Sequence, residues 1–146
     1  MNLNMINVLL ADDDKEDRSL FEQALKEIPL ESNLKTVNDG EQLMEYLSDN
    51  KSDVIDIIFL DLSMPRKTGF ECLSEIKENE KLKDISIVVF STSFTKDIYF
   101  EQGIKSMLTR EGADHFIRKP GDFEQLKSVI HNALKDVIEK RNLIKI

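Results

Sequence analysis

Short apolar runs alternate along the chain with stretches in which apolar residues recur every three or four positions. A continuous run of Val, Ile and Leu is typical of a buried strand, whereas the three-to-four spacing is typical of an amphipathic helix. The runs predict strands at Met5–Ala11, Leu34–Asn38, Ile55–Leu60, Ile85–Phe90 and Ala113–Ile117. The spaced stretches predict helices at Lys15–Ile28, Glu41–Ser48, Gly69–Asn79, Thr95–Gly112 and Asp122–Glu139.

This strict alternation of strand and helix predicts an α/β fold, a doubly wound five-stranded parallel sheet with helices on both faces. Connections between parallel strands are right-handed, which leaves only a few possible strand orders. In sheets of this kind, ligands bind beyond the carboxyl ends of the strands. The residues that directly follow each strand are therefore the candidates for function.

The length of 146 residues suits one domain. We expect a single domain over residues 1–146 with its core at about 5–139, and residues 140–146 extending the last helix or forming a tail. Because the apolar stretch near the N-terminus is followed at once by acidic residues, and no apolar run reaches roughly 18 residues, we expect neither a secretory signal nor a membrane span. The expected location is the cytoplasm.

Charge and cysteine content exclude some function classes. The chain has 20 basic and 28 acidic residues, a net charge of −8, which opposes binding to nucleic acid or to an anionic membrane. The single cysteine, Cys72, excludes an intramolecular disulfide and any metal site built from several cysteines.

Acidic, hydroxyl and amine side chains follow four of the predicted strands. Asp12 and Asp13 follow the first strand, Asp61 the third, Ser91 the fourth and Lys119 the fifth. If the first and third strands are neighbours the carboxylates converge, and two carboxylates about 4 Å apart repel by roughly 4 kcal/mol at an effective dielectric of about 20. Protons or a cation must offset this repulsion. A hard divalent ion with oxygen ligands, Mg²⁺ above all, fits the cluster, and Lys119 offsets one charge from the side.

Four segments at these strand ends resemble the receiver domain of two-component response regulators, and the resemblance covers nearly the whole chain. Their order along the chain also matches that family. The segments are LLADDD (9–14), FLDLSMPRKTGFE (59–71), VVFSTS (88–93) and FIRKP (116–120). The resemblance implies a flavodoxin-like sheet with strand order 2-1-3-4-5 and Mg²⁺ as the cofactor.

The resemblance also implies roles for the acidic residues. Asp61 matches the phosphoacceptor, which receives a phosphoryl group as an acyl phosphate. Asp13 matches a direct Mg²⁺ ligand, and Asp12 matches an acid that acts mostly through water. The backbone carbonyl of Ser63, two residues after the acceptor, matches the last protein ligand of the ion.

Three further residues match the parts of the family that respond to phosphorylation. Ser91 matches the hydroxyl residue that moves to the phosphoryl group, and Lys119 matches the lysine that pairs with it. Phe116 occupies the position of the switch aromatic, which would change the face formed by the fourth helix, the fifth strand and the fifth helix. Whether the Lys119–Pro120 peptide is cis stays open. The span between Ser91 and Lys119 is longer than usual, which predicts a lengthened fourth helix or an extra turn within Phe94–Arg110.

The expected function is that of a stand-alone receiver, a phosphorylation-dependent signalling switch that is not an enzyme in its own right. A sensor histidine kinase or phosphotransfer protein would donate to Asp61, and a separate downstream protein would respond. One alternative is a Mg²⁺-dependent aspartyl-phosphate phosphatase or phosphotransferase, but such enzymes typically have a second acid where this chain has Ser63. Another is a binding-only pseudo-receiver, which the complete set of acids, hydroxyl and lysine opposes.

Overall fold

The computed structural model describes residues 5–49, 54–92 and 98–144, in which strands and helices alternate. The strands are β1 (Ile6–Ala11), β2 (Ser32–Val37), β3 (Ile57–Leu60), β4 (Ser86–Ser91) and β5 (His115–Arg118). The helices are α1 (Lys15–Glu27), α2 (Gly40–Ser48), α3 (Gly69–Glu78), α4 (Ile98–Arg110) and α5 (Phe123–Ile144). No helix in these ranges is both long enough and apolar enough to cross a membrane.

The strands form one parallel sheet in the order β2-β1-β3-β4-β5, which confirms the predicted fold class and strand order. Successive side chains of a strand point to opposite faces, so the apolar runs supply both faces at once. Val8 and Phe59 pack in the core beneath α1 and α5, whereas Leu9 and Leu60 pack in the core beneath α2, α3 and α4. Both faces of the sheet are therefore covered, as the continuous apolar strands predict.

Several element boundaries differ from the predicted ones. Helix α4 ends at Arg110, before the predicted Gly112, because Gly112 has a φ of 108°, a left-handed conformation that ends a helix. Helix α5 continues to Ile144, beyond the predicted Glu139, so the described part of the 140–146 segment, residues 140–144, extends the last helix. The predicted start of the fourth helix at Thr95 lies outside the described residues, as does the predicted extra turn. The Lys119–Pro120 peptide is trans, since none of the described peptide bonds is cis.

Candidate functional site

Backbone hydrogen bonds continue past the strand ends and fix the residues that follow them. The Asp12 N–H donates to the Val37 carbonyl at 3.1 Å, and the Asp61 N–H donates to the Ala11 carbonyl at 3.0 Å. Between β4 and β5, the Lys119 N–H donates to the carbonyl of Ser91 at 2.8 Å. The parallel ladder therefore delivers these side chains to one edge of the sheet, where the sequence placed the site.

Three carboxylates converge at this edge. One oxygen from each of Asp12, Asp13 and Asp61 lies within 4.8 Å of the other two. Asp12 and Asp61 are only 1% and 6% exposed, whereas Asp13 is exposed to solvent. A cluster of hard oxygen donors that is open on one side fits a small divalent cation such as Mg²⁺, which keeps part of its water shell.

Lys119 reaches into this cluster and contacts three carboxylates with one ammonium group. Its Nζ lies 2.6 Å from Asp12 Oδ2, 3.0 Å from Asp17 Oδ2 and 3.4 Å from Asp61 Oδ2. The Lys119 side chain is 9% exposed, so these contacts are shielded from solvent. An ammonium group has three N–H donors. All three are engaged here.

The pKa values of Asp12 and Lys119 are both raised above their usual values. Burial raises the pKa of Asp12 above its usual value, against the opposing hydrogen bonds from Lys119 and the Asp14 N–H. Burial would lower the pKa of Lys119, but the hydrogen bonds and charges of Asp12, Asp17 and Asp61 outweigh it and raise that pKa. One cation is thus shared among several acids, which leaves negative charge at the site for a second cation to neutralise.

The carboxylate of Asp61 is held by contacts to both of its oxygens. Oδ1 accepts a hydrogen bond from Ser91 Oγ at 3.0 Å and another from the Ser63 N–H at 3.2 Å, while Oδ2 faces Lys119. Ser91 is 1% exposed, at the last position of β4. The structure therefore brings Ser91 to Asp61 as the sequence placed it. The role of the Ser63 backbone carbonyl as a metal ligand stays a prediction.

Close backbone packing fixes the loop between β3 and α3. A Cβ atom on Gly69 would lie 2.3 Å from the backbone oxygen of Asp61, which leaves room for glycine alone. Thr68 caps α3 in a reciprocal pair of hydrogen bonds with Glu71. The loop that follows Asp61 is consequently anchored at the start of the next helix.

Phe116 lies away from the acidic cluster, on the edge strand β5. It is half-buried, and Lys105 Nζ of α4 lies 5.3 Å from the centroid of its ring. A second contact joins the same two elements, an ion pair between Glu101 of α4 and Arg118 of β5. These contacts attach α4 to β5 beside Phe116, whose switch role stays a prediction.

Sequence reasoning missed Asp17. It lies in the first turn of α1, where an acidic residue is already favoured by the helix dipole, so its presence there carries no separate signal. Only the folded arrangement, in which the loop after β5 passes the start of α1, reveals that its carboxylate contacts Lys119.

Comparison with known proteins agrees with this geometry. The sequence model of the family described as the response regulator receiver domain matches residues 8–131. The chain is 37% identical over 94 residues to response regulator Rcp1 of Synechocystis sp., a match that covers 62% of this chain and 64% of that protein. The match therefore spans less than two thirds of this relative's length.

Solved structures of similar proteins have the same fold. The crystal structure of the phosphorylated cyanobacterial phytochrome response regulator RcpA matches with a TM-score of 0.78 and 29% identity, over 93% of this chain and 96% of that one. The crystal structure of the Mn²⁺-bound form of response regulator Rcp1 matches with a TM-score of 0.75 and 27% identity, over 87% of this chain and 90% of that one.

Proposed function

We propose that this chain, which belongs to the response regulator receiver domain family, is a phosphorylation-dependent switch that accepts a phosphoryl group on Asp61. The observation that carries the proposal is the setting of the Asp61 carboxylate at the carboxyl edge of the sheet. It is nearly buried, it lies with Asp12 and Asp13 in one acidic cluster, and it contacts both Ser91 and Lys119.

The proposed chemistry needs positioning and charge neutralisation more than acid–base help. A carboxylate oxygen of Asp61 attacks the phosphorus of a donor, the bond from phosphorus to the donor breaks, and an acyl phosphate forms on Asp61. Lys119 donates an N–H to the transferred group and offsets part of its charge. Ser91, already hydrogen-bonded to Asp61, is placed to donate its hydroxyl to a phosphoryl oxygen.

The donor set at the site also supports a divalent cation. Asp13 and Asp61 would bind Mg²⁺ directly, Asp12 through water, and the Ser63 carbonyl would complete the protein ligands. When bound, Mg²⁺ supplies electrostatic stabilisation of the phosphoryl oxygens. A similar response regulator, Rcp1, has been crystallised in a Mn²⁺-bound form, which supports a cation site in this fold.

The signalling partners follow from the same proposal. A sensor histidine kinase or phosphotransfer protein would donate to Asp61 in the cytoplasm. The chain acts as one domain and assists its own phosphorylation and dephosphorylation without being an enzyme for other substrates. Phe116 and the face formed by α4, β5 and α5 would then pass the change to a separate downstream protein, with no contact to nucleic acid or membrane.

Intact mass spectrometry after incubation with acetyl phosphate and Mg²⁺ tests the acceptor. We expect one phosphoryl adduct on the wild-type protein and none on Asp61→Asn, because an amide cannot form the acyl phosphate. A chelator should prevent the adduct in the wild-type protein as well. Full labelling of Asp61→Asn would disprove the assignment of Asp61.

A second probe separates a slow donor from a site that does not accept phosphoryl groups. Fluoroberyllate with Mg²⁺ mimics a phosphoryl group on a carboxylate, so its binding does not depend on the small-molecule donor. If neither an adduct nor fluoroberyllate binding is observed, the chain is a binding-only pseudo-receiver. Steady turnover of a generic phosphoester would instead support the phosphatase alternative.

A further inference from the structure

We propose that Asp17 is a positioning residue that competes with the phosphoryl group for Lys119 and so limits the phosphorylation of this chain. The inference rests on the proposed function of Asp61 and concerns the regulation of that site. It arises from the contact between Asp17 and Lys119, residues that are far apart in the sequence and lie 3.0 Å apart in the fold.

Asp17 differs from the other partners of Lys119 in its exposure. The Asp17 side chain is 36% exposed, whereas those of Asp12 and Asp61 are 1% and 8% exposed. The Asp17 backbone N–H is bound to the capping side chain of Asp14 at 3.1 Å, which fixes the start of the helix that presents the carboxylate. Asp17 is therefore the partner that can turn towards solvent without leaving a buried charge unpaired.

The number of donors on Lys119 makes the competition necessary. Each of its three N–H groups faces one carboxylate. A phosphoryl group on Asp61 brings additional acceptor oxygens and up to two negative charges, and it needs at least one of these donors. Because Asp17 is the most exposed of the three partners, we infer that the phosphoryl group displaces the hydrogen bond between Lys119 and Asp17. Before phosphorylation, that bond holds the ammonium group towards α1, and the Asp17 charge also repels the incoming anion.

Removal of the Asp17 charge should therefore favour the phosphoryl group. For Asp17→Asn, we expect the rate of phosphoryl uptake from acetyl phosphate at saturating Mg²⁺ to rise about threefold or more, because the variant loses both the attraction between the Asp17 carboxylate and the Lys119 ammonium group and the repulsion of the incoming anion. The affinity for fluoroberyllate should rise in the same direction. Asp17→Ala, which removes the acceptor altogether, should raise both quantities at least as far.

Two variants control for other effects of the substitution. Glu16→Gln removes one negative charge from the same turn of α1, but Glu16 is exposed and makes no ion pair within the described ranges, so uptake should stay at the wild-type value. Asp17→Glu keeps the negative charge, so its rate of phosphoryl uptake should stay close to that of the wild type. Damage to the fold would lower uptake and fluoroberyllate affinity together, so a gain in both cannot come from damage.

The outcomes separate this inference from the proposed function. If wild-type protein gains neither a phosphoryl group nor fluoroberyllate, the proposed function fails and the inference fails with it. If wild-type protein is labelled and Asp17→Asn behaves like Glu16→Gln, or is slower than wild type, only the role of Asp17 is overturned. Faster uptake in Asp17→Asn and Asp17→Ala, with a normal rate in Asp17→Glu, supports it.

Discussion

At the scale of single residues, the candidate acceptor is held by its neighbours through backbone atoms as well as side chains. The Asp61 N–H donates to the Ala11 carbonyl of β1, and the Asp61 carbonyl oxygen lies where it would be only 2.3 Å from a Cβ atom on Gly69, which excludes a side chain there. Asp61 directly follows β3 and Gly69 is the first residue of α3, so this contact ties the end of β3 to the start of α3. The geometry of Asp61 therefore depends on Gly69, a residue that has no side chain and contributes only through its backbone.

The first prediction concerns this contact. In Gly69→Ala the added Cβ would lie 2.3 Å from the Asp61 oxygen and 2.7 Å from Leu62 Cα, so the backbone must shift. We expect the free energy of unfolding to fall by about 1–3 kcal/mol, and the rate of phosphoryl uptake to fall with it. Urea denaturation and the mass assay measure the two effects.

Gly103→Ala is the matched control for this substitution. Gly103 lies within α4, and apart from its chain neighbours and the backbone of that helix no atom of the described residues lies within 4 Å of the added Cβ, so alanine should stabilise the protein by about 0.5–1 kcal/mol through its helix propensity. Equal changes in the free energy of unfolding for the two substitutions would contradict this prediction, because they would mean that the backbone around residue 69 can shift to admit a Cβ atom without loss of stability.

Much of the site at the residue scale could be predicted from the sequence. Asp12, Asp61 and Lys119 each directly follow a strand, and the ends of parallel strands meet at one edge, so the predicted strands, together with the strand order that the family resemblance implies, were enough to bring them together. Asp17 could not be found in this way, because its contact depends on how closely the loop after β5 passes α1. Such a distance is set by packing between elements and leaves no pattern along the chain.

At the scale of elements, the last turn of α5 is attached to the amino ends of the strands, opposite the carboxyl ends where the acidic cluster lies. The Arg141 guanidinium forms an ion pair with Asp56 and donates to the Met5 carbonyl at 3.3 Å. Asp56 also accepts the Asn7 N–H at 2.8 Å. A single arginine thus joins α5 to the start of β1 and to the segment before β3.

The second prediction tests this attachment. Arg141→Ala should lower the free energy of unfolding by about 1.5–3 kcal/mol, because it removes hydrogen bonds from a charged, partly buried group. Lys135→Ala on the same helix is the control. Lys135 is exposed and makes no ion pair among the described residues, so its removal should change stability by less than about 0.5 kcal/mol. Denaturation in urea compares the two, and equal stability of both variants would contradict the anchoring role.

Element prediction was correct in type and order and less accurate at the ends. The strands could be identified because both faces of the sheet are covered, which makes β3 entirely apolar and gives β1 and β4 runs of four consecutive apolar residues. Helix α5 extends beyond its predicted end at Glu139, since its last turns are held by the polar contacts of Arg141 and not by an apolar stripe alone. The start of β2 at Ser32 was missed as well, because an edge strand with alternating burial carries a weaker apolar signal.

At the scale of the whole molecule, the chain has a net negative charge and brings several acids together where the proposed cation would bind. The net charge is −8, and the carboxylates of Asp12, Asp13 and Asp61 share one edge of the sheet with the ammonium group of Lys119, which also contacts Asp17. Repulsion among these acids weakens the folded state, since the unfolded chain lets them separate. A ligand that binds only the folded state and neutralises the cluster must then raise the stability of the entire domain.

The last prediction follows from this coupling. Mg²⁺ at about 100 times its dissociation constant should stabilise the wild-type protein by about 2.7 kcal/mol. Thermal unfolding should move upward by several degrees relative to NaCl of equal ionic strength. Asp13→Asn should unfold at or above the wild-type temperature without Mg²⁺, because Asp13 is exposed beside two other acids, yet it should lose most of the shift with Mg²⁺. Glu16→Gln should keep the full shift, since Glu16 lies outside the cluster. If Asp13→Asn responded to Mg²⁺ like the wild type, the ion would have to bind elsewhere, and the stabilisation could not come from neutralising this edge of the sheet.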